Sequence, residues 1–322
     1  MQMRILSAAD VRAAVDMPEA IRAMREAFIA LSEGSAQAPL RVALETEGGV
    51  SLFMPASMPS RGAAGVKIVS VNPGNSELGL PAIHAVVLAV DPVTGRALAL
   101  MDGTWLTALR TGAAGGLAAD LLARSGASVV TVFGAGVQAR TQLEAVRCVR
   151  DIDEVRIVSP VREESDAFAA ELENVTARAV DDPAEALAGA HIVVTATNSS
   201  TPVFDGRLVE PGTHVTGIGS YTLHMREVDT ELISRARVFV DEREGAMAEA
   251  GDIVGPIRDG DLTEEVILAE IGEVAAGVHA GRTSPDDITF FKSVGNAVQD
   301  VAVASRVLET AEARNLGTLV EV

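Results

Sequence analysis

Cysteine is almost absent from this chain, in which Cys148 is the only one among 322 residues. A single cysteine can form neither an intramolecular disulfide framework nor a cysteine-based metal cluster. We therefore expect a reducing compartment and assign no metal ligands.

Basic residues are also scarce, with 26 Lys and Arg against 45 Asp and Glu, a net charge of -19 and a pI near 4.6. Nucleic acids and anionic membranes would repel such a protein, so neither is an expected partner. The first residues contain no continuous apolar segment of the kind found in signal peptides, and no later apolar run approaches the length of a membrane span. These features predict a cytoplasmic protein.

Lysine is rarer still, because 24 of the 26 basic residues are arginine and only Lys67 and Lys292 are lysine. Lysine differs from arginine in being a compact ammonium whose pKa is readily lowered by burial, so it can donate a proton or direct a single charge at a substrate. The two lysines are therefore candidates for a special role. The chain is long enough for two domains with well-filled cores.

The most informative stretch is SVVTVFGAGVQARTQLEAVRCV, from Ser128 to Val149. It reads as a buried strand, a glycine turn at Gly134-Ala135-Gly136 and an amphipathic helix. Ala139 stands where the third glycine of G-x-G-x-x-G usually lies, a position that requires a small side chain. Backbone N–H groups at such a turn can face a phosphate, so the pattern predicts a dinucleotide-binding site.

The region before this stretch reads as a helix, Pro18–Ser32 with Asp16 as its cap, followed by short antiparallel strands. The turn Asp-Pro-Val-Thr-Gly predicts a hairpin between the last two strands. In the third strand Lys67 shares a face with Val69, so it either lies at an edge, reaches solvent with its ammonium, or enters a cleft. The predicted strands are Arg41–Glu45, Val50–Met54, Gly65–Val71, Ile83–Asp91 and Ala97–Asp102.

Beyond the glycine turn, strands and helices alternate, as in a parallel, doubly wound α/β sheet. We expect the chain to close with a helix at about Glu265–Ala280, a strand Thr289–Lys292 and a long helix Asn296–Ala313. The intermediate elements are predicted at Val155–Val158, Glu163–Glu173, Thr176–Ala179, Pro183–Ala188, Ile192–Ala196, His214–Ile218 and Val238–Val240.

Across essentially its whole length the sequence resembles the ornithine cyclodeaminase and mu-crystallin family, which includes archaeal-type alanine dehydrogenases and imine reductases. The matching segments are GVKIVSVNPGN at Gly65–Asn75, TALRTGAA at Thr107–Ala114, GAGVQA at Gly134–Ala139, VTATNSSTPVF at Val194–Phe204 and FKSVGNAVQD at Phe291–Asp300.

This resemblance implies a homodimer with two domains per chain. Residues 1–117 with 300–322 would form an α+β domain, completed by the C-terminal helix, that binds substrate and makes the dimer contact. Residues 118–299 would form a Rossmann-type domain, a doubly wound parallel sheet, that binds NAD or NADP.

The resemblance also implies roles for three cations. Arg41 and Arg110 match the arginines that grip the substrate carboxylate, and a guanidinium fork suits a carboxylate well. Lys67 matches the lysine at the reacting centre. For each residue the alternative is an ordinary structural or solvated cation, most of all for Arg41, whose flanking residues are less distinctive.

The choice of cofactor depends on the end of the second strand of the nucleotide domain, where an acidic residue would favour NAD. Here the residue is Ser159, and Arg162 follows closely enough to meet a 2′-phosphate, so the sequence favours NADP over NAD. Arg162 as a plain surface cation is the alternative. The resemblance further implies cofactor contacts at Thr111, Gly134, Ala135, Gly136, Val137, Gln138, Thr195, Thr197, Ser293 and Val294.

One departure from the family concerns Ser220, where ornithine cyclodeaminases carry an aspartate that handles protons and the side-chain amine. A serine cannot replace that carboxylate or act unaided as an effective base. The sequence therefore favours NAD(P)H-dependent reduction of a small 2-imino acid to an L-amino acid. The imino acid could be a cyclic ketimine, such as pyrroline- or piperideine-2-carboxylate, or the imine of pyruvate and ammonia. Ornithine cyclodeaminase and a non-catalytic NADPH-binding protein like mu-crystallin remain as alternatives.

Overall fold

The computed structural model describes residues 2–322, which form two compact units. The first extends to Arg110 and also includes Asn296–Val322, and the second is Thr111–Gly295. The expected boundaries, at 117 and 299, lie a few residues further along the chain. Helix α3 (Gly103–Leu122) runs without interruption across the first limit, so no turn residue marks it in the sequence.

The first unit is built on a seven-stranded sheet. The predicted antiparallel strands and the hairpin at Asp91–Gly95 are confirmed, and Asp91 N–H donates to the Arg96 carbonyl at 2.9 Å. The opening strand β1 (Gln2–Leu6) was not predicted; it pairs with β6 (Ala97–Asp102) in parallel and with β15 (Thr318–Glu321) antiparallel. In sheet order the strands are β15 (Thr318–Glu321), β1 (Gln2–Leu6), β6 (Ala97–Asp102), β5 (Ile83–Val90), β4 (Ala63–Val71), β3 (Gly49–Met58) and β2 (Val42–Thr46).

This unit also contains the first part of α3 and the helices α1 (Ala8–Ala14), α2 (Met17–Ser32) and α11 (Ala297–Arg314). Asp16 caps α2 as predicted, because its carboxylate accepts a bond from Glu19 N–H at 2.9 Å. The Asn296 side chain caps α11 in the same way through Val298 N–H at 2.9 Å. Helix α11 packs on α2 and on strands β3, β4 and β5, so it covers one face of the sheet.

The second unit is an eight-stranded sheet in which every described pairing is parallel, which confirms the doubly wound fold. Its first strand, β7 (Val129–Phe133), lies between β8 (Glu154–Val158) and β10 (Ile192–Thr195). The strand order therefore reverses at β7, which is the usual position of a ligand crevice. The sheet order is β13 (Ile267–Glu270), β12 (Arg237–Val240), β14 (Thr289–Lys292), β11 (His214–Gly217), β10 (Ile192–Thr195), β7 (Val129–Phe133), β8 (Glu154–Val158) and β9 (Thr176–Ala179).

Apolar clusters fill both faces of this sheet, one including Val193, Val215 and Phe290 and the other Val132, Ile157 and Val194. The surrounding helices are α4 (Val137–Val149), α5 (Arg162–Ala170), α6 (Pro183–Leu187), α7 (Thr230–Arg235), α8 (Arg243–Glu249), α9 (Gly251–Arg258) and α10 (Ile271–Ala275). Within residues 2–322 no helix is both long and apolar enough to cross a membrane.

The predicted helix at Glu265–Ala280 is wrong. This segment forms a short 3-10 turn at Glu264–Val266, the edge strand β13 and only the brief helix α10. Ile267 and Ala269 are buried while Leu268 is exposed, so the side chains alternate as in a strand paired on one side with β12. Sheet pairing therefore overrides the local helical propensity.

Candidate active site

A buried ion pair lies in the first unit. Lys67, on the inner strand β4, is 1% exposed, and its Nζ lies 2.9 Å from Oδ1 and 2.8 Å from Oδ2 of Asp300. Asp300 lies in the first turn of α11. Because β4 is flanked by β3 and β5 and the lysine is buried, Lys67 is neither an edge residue nor one whose ammonium reaches solvent.

Arg110, on α3, joins the same carboxylate. Its Nε donates to Asp300 Oδ1 at 3.0 Å and its Nη1 donates to Gln299 Oε1 at 2.7 Å. Arg41, just before β2, lies near enough to Lys67 to lower its pKa. Of the sequence-predicted residues, Lys67 and Arg110 thus share one carboxylate, and Arg41 lies near Lys67.

This arrangement changes the acidity of the lysine. Burial, followed by the positive charges of Arg110 and Arg41, lowers the pKa of the Lys67 ammonium to about 7, although Asp300 opposes the change. At neutral pH the group can therefore both hold and release a proton.

Sequence reasoning did not assign Asp300 or Gln299, although both lie within the matching segment FKSVGNAVQD. An aspartate in the first turn of a helix ordinarily stabilises the helix dipole, which hides any further role. One feature of the sequence could have identified them. Gln299 and Asp300 are adjacent polar residues, and the residues on either side of them in the predicted helix are small and apolar. Both are fully buried.

The glycine turn has the backbone geometry of a phosphate cradle. Gly134 has φ +110°, and a Cβ built on it would lie 2.5 Å from the Ala196 carbonyl oxygen, so only glycine fits. Gly136 is the N-cap residue of α4, and a Cβ there would meet no atom within 4 Å. The helix N-terminus thus opens onto free space, and Ala139 is buried behind it as the small-residue position requires. These residues fit a dinucleotide phosphate.

Arg140 supports this turn and was not predicted from the sequence. Its Nη1 donates to the Ala135 carbonyl, while Nε and Nη2 bind Glu171 at 2.7 and 2.8 Å. The guanidinium carbon lies 4.4 Å from the centre of the Phe168 ring. Among the neighbouring predicted residues, Val137 is exposed in the first turn of α4, and Gln138 is partly buried.

At the end of β8 the two predicted cofactor residues lie in acidic surroundings. Ser159 Oγ is 3.3 Å from Glu164 Oε2. Arg162 Nε is 3.1 Å from both carboxylate oxygens of Asp166, and its Nη1 is 2.7 Å from Asp181 Oδ2. The arginine is therefore already engaged by two carboxylates.

Glu227, which sequence reasoning also missed, connects the loops that follow β10 and β11. It is fully buried and accepts bonds from Thr195 Oγ1 at 3.0 Å and from Thr197 N–H and Oγ1 at 2.6 and 2.8 Å. It also accepts from the N–H groups of Gly219 and Ser220 at 2.7 and 3.2 Å. The predicted residues Thr195 and Thr197 are thus held by one carboxylate.

Ser220, the position where the family's cyclodeaminases carry an aspartate, is fully buried. Its hydroxyl donates inward to the Met225 carbonyl at 2.7 Å. The side chain is therefore occupied in holding its own loop.

A second buried acid holds the end of β14. Asp241 Oδ2 accepts from Ser293 Oγ at 2.7 Å, from Val294 N–H at 3.0 Å and from Gly295 N–H at 2.8 Å. Burial raises the pKa of Asp241, and these bonds oppose that change. The predicted residues Ser293 and Val294 are fixed in this way.

The chain's other lysine is also buried and paired. Lys292 Nζ lies 2.8 Å from Asp252 Oδ2, and Asp252 Oδ1 accepts from Glu227 N–H at 2.6 Å. The last predicted residue, Thr111, is buried on α3, and its carbonyl accepts from Gln142 Nε2 at 2.7 Å. Across residues 2–322, no group of three His, Cys, Asp or Glu side chains is arranged to hold a metal ion.

Known proteins share this architecture over its full extent. The alanine dehydrogenase of Archaeoglobus fulgidus is 41% identical over 321 residues, covering 100% of this chain and 99% of its own. The structure of Thermococcus litoralis Delta(1)-pyrroline-2-carboxylate reductase in complex with NADH and L-proline superposes with a TM-score of 0.95 at 39% identity, covering 98% of this chain and 99% of its own. The structure of an archaeal alanine dehydrogenase dimer with bound NAD also superposes with a TM-score of 0.95, at 40% identity, and the match covers 100% of this chain and 99% of its own.

The family match extends over residues 1–315, nearly the whole chain. Together with the parallel sheet, the glycine turn and the buried lysine, it establishes that this chain belongs to the ornithine cyclodeaminase/mu-crystallin family.

Proposed function

We propose that this protein is a nicotinamide-dependent oxidoreductase that reduces a small 2-imino acid to an L-amino acid. The observation that carries the proposal is that Lys67 and Arg110 share the single buried carboxylate of Asp300, with Arg41 near Lys67. Two buried cations, Lys67 and Arg110, share this one carboxylate, which leaves an excess of positive charge when Lys67 is protonated. A small substrate that carries a carboxylate would offset that excess.

Arg110 is suited to bind that carboxylate. Its Nε and Nη1 are engaged by Asp300 and Gln299, and within the described structure Nη2 is the nitrogen left for a ligand. Holding two of the three guanidinium nitrogens fixes the plane of the fork, so little side-chain entropy is lost on binding. Arg41, which is partly exposed, supplies a second cation for the same group.

Lys67 is suited to manage the proton of the reaction. As an ammonium it can donate to the imine nitrogen, and as a neutral amine it can remove a proton from an amino acid in the reverse direction. Asp300 holds the Nζ in place with two contacts, at 2.9 and 2.8 Å. A pKa of about 7 makes both forms available near neutrality.

The second unit is suited to bind NAD or NADP, which supplies or accepts the hydride when bound. Gly134, Ala135, Gly136, Val137 and Gln138 would hold the pyrophosphate, with Ser159 near the adenosine ribose. The fixed ends of β10 and β14, at Thr195, Thr197, Ser293 and Val294, together with Thr111, would hold the nicotinamide portion. The related structures with NADH and with NAD support this assignment.

The direct test is loss of NADH or NADPH absorbance with purified protein. The substrates are pyrroline-2-carboxylate, piperideine-2-carboxylate, and pyruvate with ammonia. We expect oxidation with at least one of them and loss of that activity in Lys67→Met. Glu312→Gln, an exposed change on α11, is the control and should retain activity.

Two other results would contradict this proposal and indicate a different function. Formation of proline and ammonia from ornithine without net cofactor turnover would indicate an ornithine cyclodeaminase, although the buried, inward-bonded Ser220 disfavours that chemistry. Tight dinucleotide binding with no turnover of any substrate would indicate a non-catalytic binding protein.

We also propose that the protein is a homodimer, formed through the sheet face that α11 does not cover. The strand register aligns Val42, Phe53, Ile68 and Val86 across that face, and Val42 and Val86 are 63% and 39% exposed. An apolar sheet face left open to water favours association with a second copy. The related alanine dehydrogenase dimer supports this assignment.

Sedimentation equilibrium tests the dimer. We expect the wild-type protein to sediment as a dimer and Val86→Glu to shift it to the monomer. Val93→Glu is the matched control, because Val93 is 90% exposed in the β5–β6 hairpin turn and away from the open face. A wild-type monomer, or equal dissociation in both variants, would contradict the proposal.

A further inference from the structure

The surroundings of the β8 end point to the cofactor that this site selects. In dinucleotide-binding folds, the residue at the end of this strand meets the adenosine ribose, and a carboxylate there binds the 2′-hydroxyl of NAD and repels the 2′-phosphate of NADP. In this chain the strand-end residue is Ser159, which carries no charge. A carboxylate nevertheless reaches the position from another element, helix α5.

That carboxylate belongs to Glu164. Its Oε2 is 3.3 Å from Ser159 Oγ, and its backbone N–H donates to the Val161 carbonyl at 3.1 Å, which fixes the first turn of α5 beside the strand end. Glu164 also lies near enough to Arg140 to raise the pKa of that guanidinium, and Arg140 in turn binds the Ala135 carbonyl of the glycine turn. Glu164 is therefore close to both structures that border an adenosine ribose in this fold.

The cations in this region are already engaged. Arg162 is held by Asp166 and Asp181, and Arg140 is held by Glu171. Counting Glu164 with these three acids gives four carboxylates against two guanidinium groups, a net charge of about -2 where NADP would place a phosphate dianion. Because two carboxylates already offset the charge of Arg162, this guanidinium adds no net attraction for that phosphate.

We propose that the protein selects NAD(H) over NADP(H), and that Glu164, acting beside Ser159, is the residue responsible for the discrimination. This reverses the preference for NADP that the strand-end serine indicates from the sequence. The inference rests on the proposed function only in requiring a dinucleotide at the glycine turn. It does not depend on which substrate is reduced.

The test measures binding alone, in the absence of any imino acid. Dissociation constants for NADH and NADPH are obtained by titrating the purified protein and following the fluorescence of the bound dinucleotide. We expect the wild-type protein to bind NADH more tightly, and Glu164→Gln to reduce the ratio of the two constants about tenfold, mainly through tighter NADPH binding.

Glu163→Gln is the matched control. It removes the same charge from the adjacent residue of α5, which makes no hydrogen bond to Ser159 in the described structure, so we expect the ratio to change little. Arg162→Gln tests the alternative anchor and should not weaken NADPH binding selectively.

Three results would overturn the inference. These are wild-type binding of NADPH as tight as that of NADH, equal effects of Glu164→Gln and Glu163→Gln, or a selective loss of NADPH binding in Arg162→Gln. Selective NADH binding without reduction of any imino acid would contradict the proposed reaction and leave this inference standing. Binding of neither dinucleotide would contradict both.

Discussion

The charged centre of the first unit and the glycine turn of the second are built in opposite ways. Lys67 and Asp300 are 233 residues apart in the chain and meet only because β4 and α11 pack together. The glycine turn is assembled from consecutive residues, Gly134 to Ala139, between one strand and the next helix. One site depends on side-chain ion pairs in a buried setting, and the other on backbone shape.

This difference changes what a substitution should do. In a buried ion cluster, the same charges contribute to folding stability, to the pKa of each group and to the binding of a charged ligand, so one substitution affects all three. In the glycine turn, stability and ligand binding are separate properties. Gly134 is required for the backbone conformation, whereas Gly136, two residues later, faces open space. The expected effects of substitution therefore decrease from the buried lysine to the glycines of the turn.

The largest effect is expected for Lys67→Met, which removes the ammonium and leaves Asp300 with Arg110. Loss of the proton donor should reduce kcat/KM for imine reduction by about 10²–10⁴-fold. Steady-state kinetics measure the loss, and NADH binding, measured separately, should be unchanged. Activity within a few-fold of that of the wild type would show that Lys67 is not the proton donor.

Asp300→Asn should come next, because it leaves two buried cations without their shared carboxylate. Breaking a buried ion pair on one side typically costs about 3–5 kcal/mol of unfolding free energy. Urea denaturation measures this loss, with Glu312→Gln on the same helix as the control. A loss equal to that of the control would show that the cluster does not contribute to folding.

The pH dependence of the reaction follows from the pKa of Lys67. In the proposed reaction the protonated lysine donates a proton to the imine, so kcat/KM should fall as the pH rises through about 7. Asp300 raises the pKa of Lys67, so in Asp300→Asn the fall should begin at a lower pH. A pH profile that does not move in this variant would contradict the assignment.

The smallest effects separate the two glycines of the turn. Gly134→Ala places a Cβ 2.5 Å from the Ala196 carbonyl at a positive φ and should cost about 1–3 kcal/mol of stability. Gly136→Ala meets no atom within 4 Å, so it should fold almost normally but weaken NADH binding, because its methyl group enters the cradle. Thermal unfolding and NADH titration together measure both effects, and equal behaviour of the two variants would contradict the backbone interpretation.

Sequence reasoning succeeded where the signal was local. The strand–turn–helix unit, the Asp16 cap and the Asp91–Gly95 hairpin depend on neighbouring residues and were found. It failed at Glu265–Ala280, where pairing with β12 determined the structure, and it missed β1 and β15, which pair with each other from opposite ends of the chain. Strand pairing between segments that are distant in the chain produces no periodic pattern of apolar residues in the local sequence.

The buried acids show the same limit. Asp300 organises the charged centre of the first unit, and Glu227 and Asp241 hold loops of the second. In the sequence each of them resembles an ordinary helix-start or loop carboxylate. What identifies them is burial together with several donors directed at each carboxylate, and both are properties of the packed structure.

The sequence by itself determined the family, the glycine turn and the rarity of lysine that singled out Lys67, because motifs and composition are carried by the order of residues alone. Only the tertiary structure decided which carboxylate holds the lysine, which acid fixes the loops, and that Arg162 is engaged by Asp166 and Asp181. The physical reason is that a charge acts through space. Its partner is set by where the chain returns after folding, and residue spacing does not encode that distance.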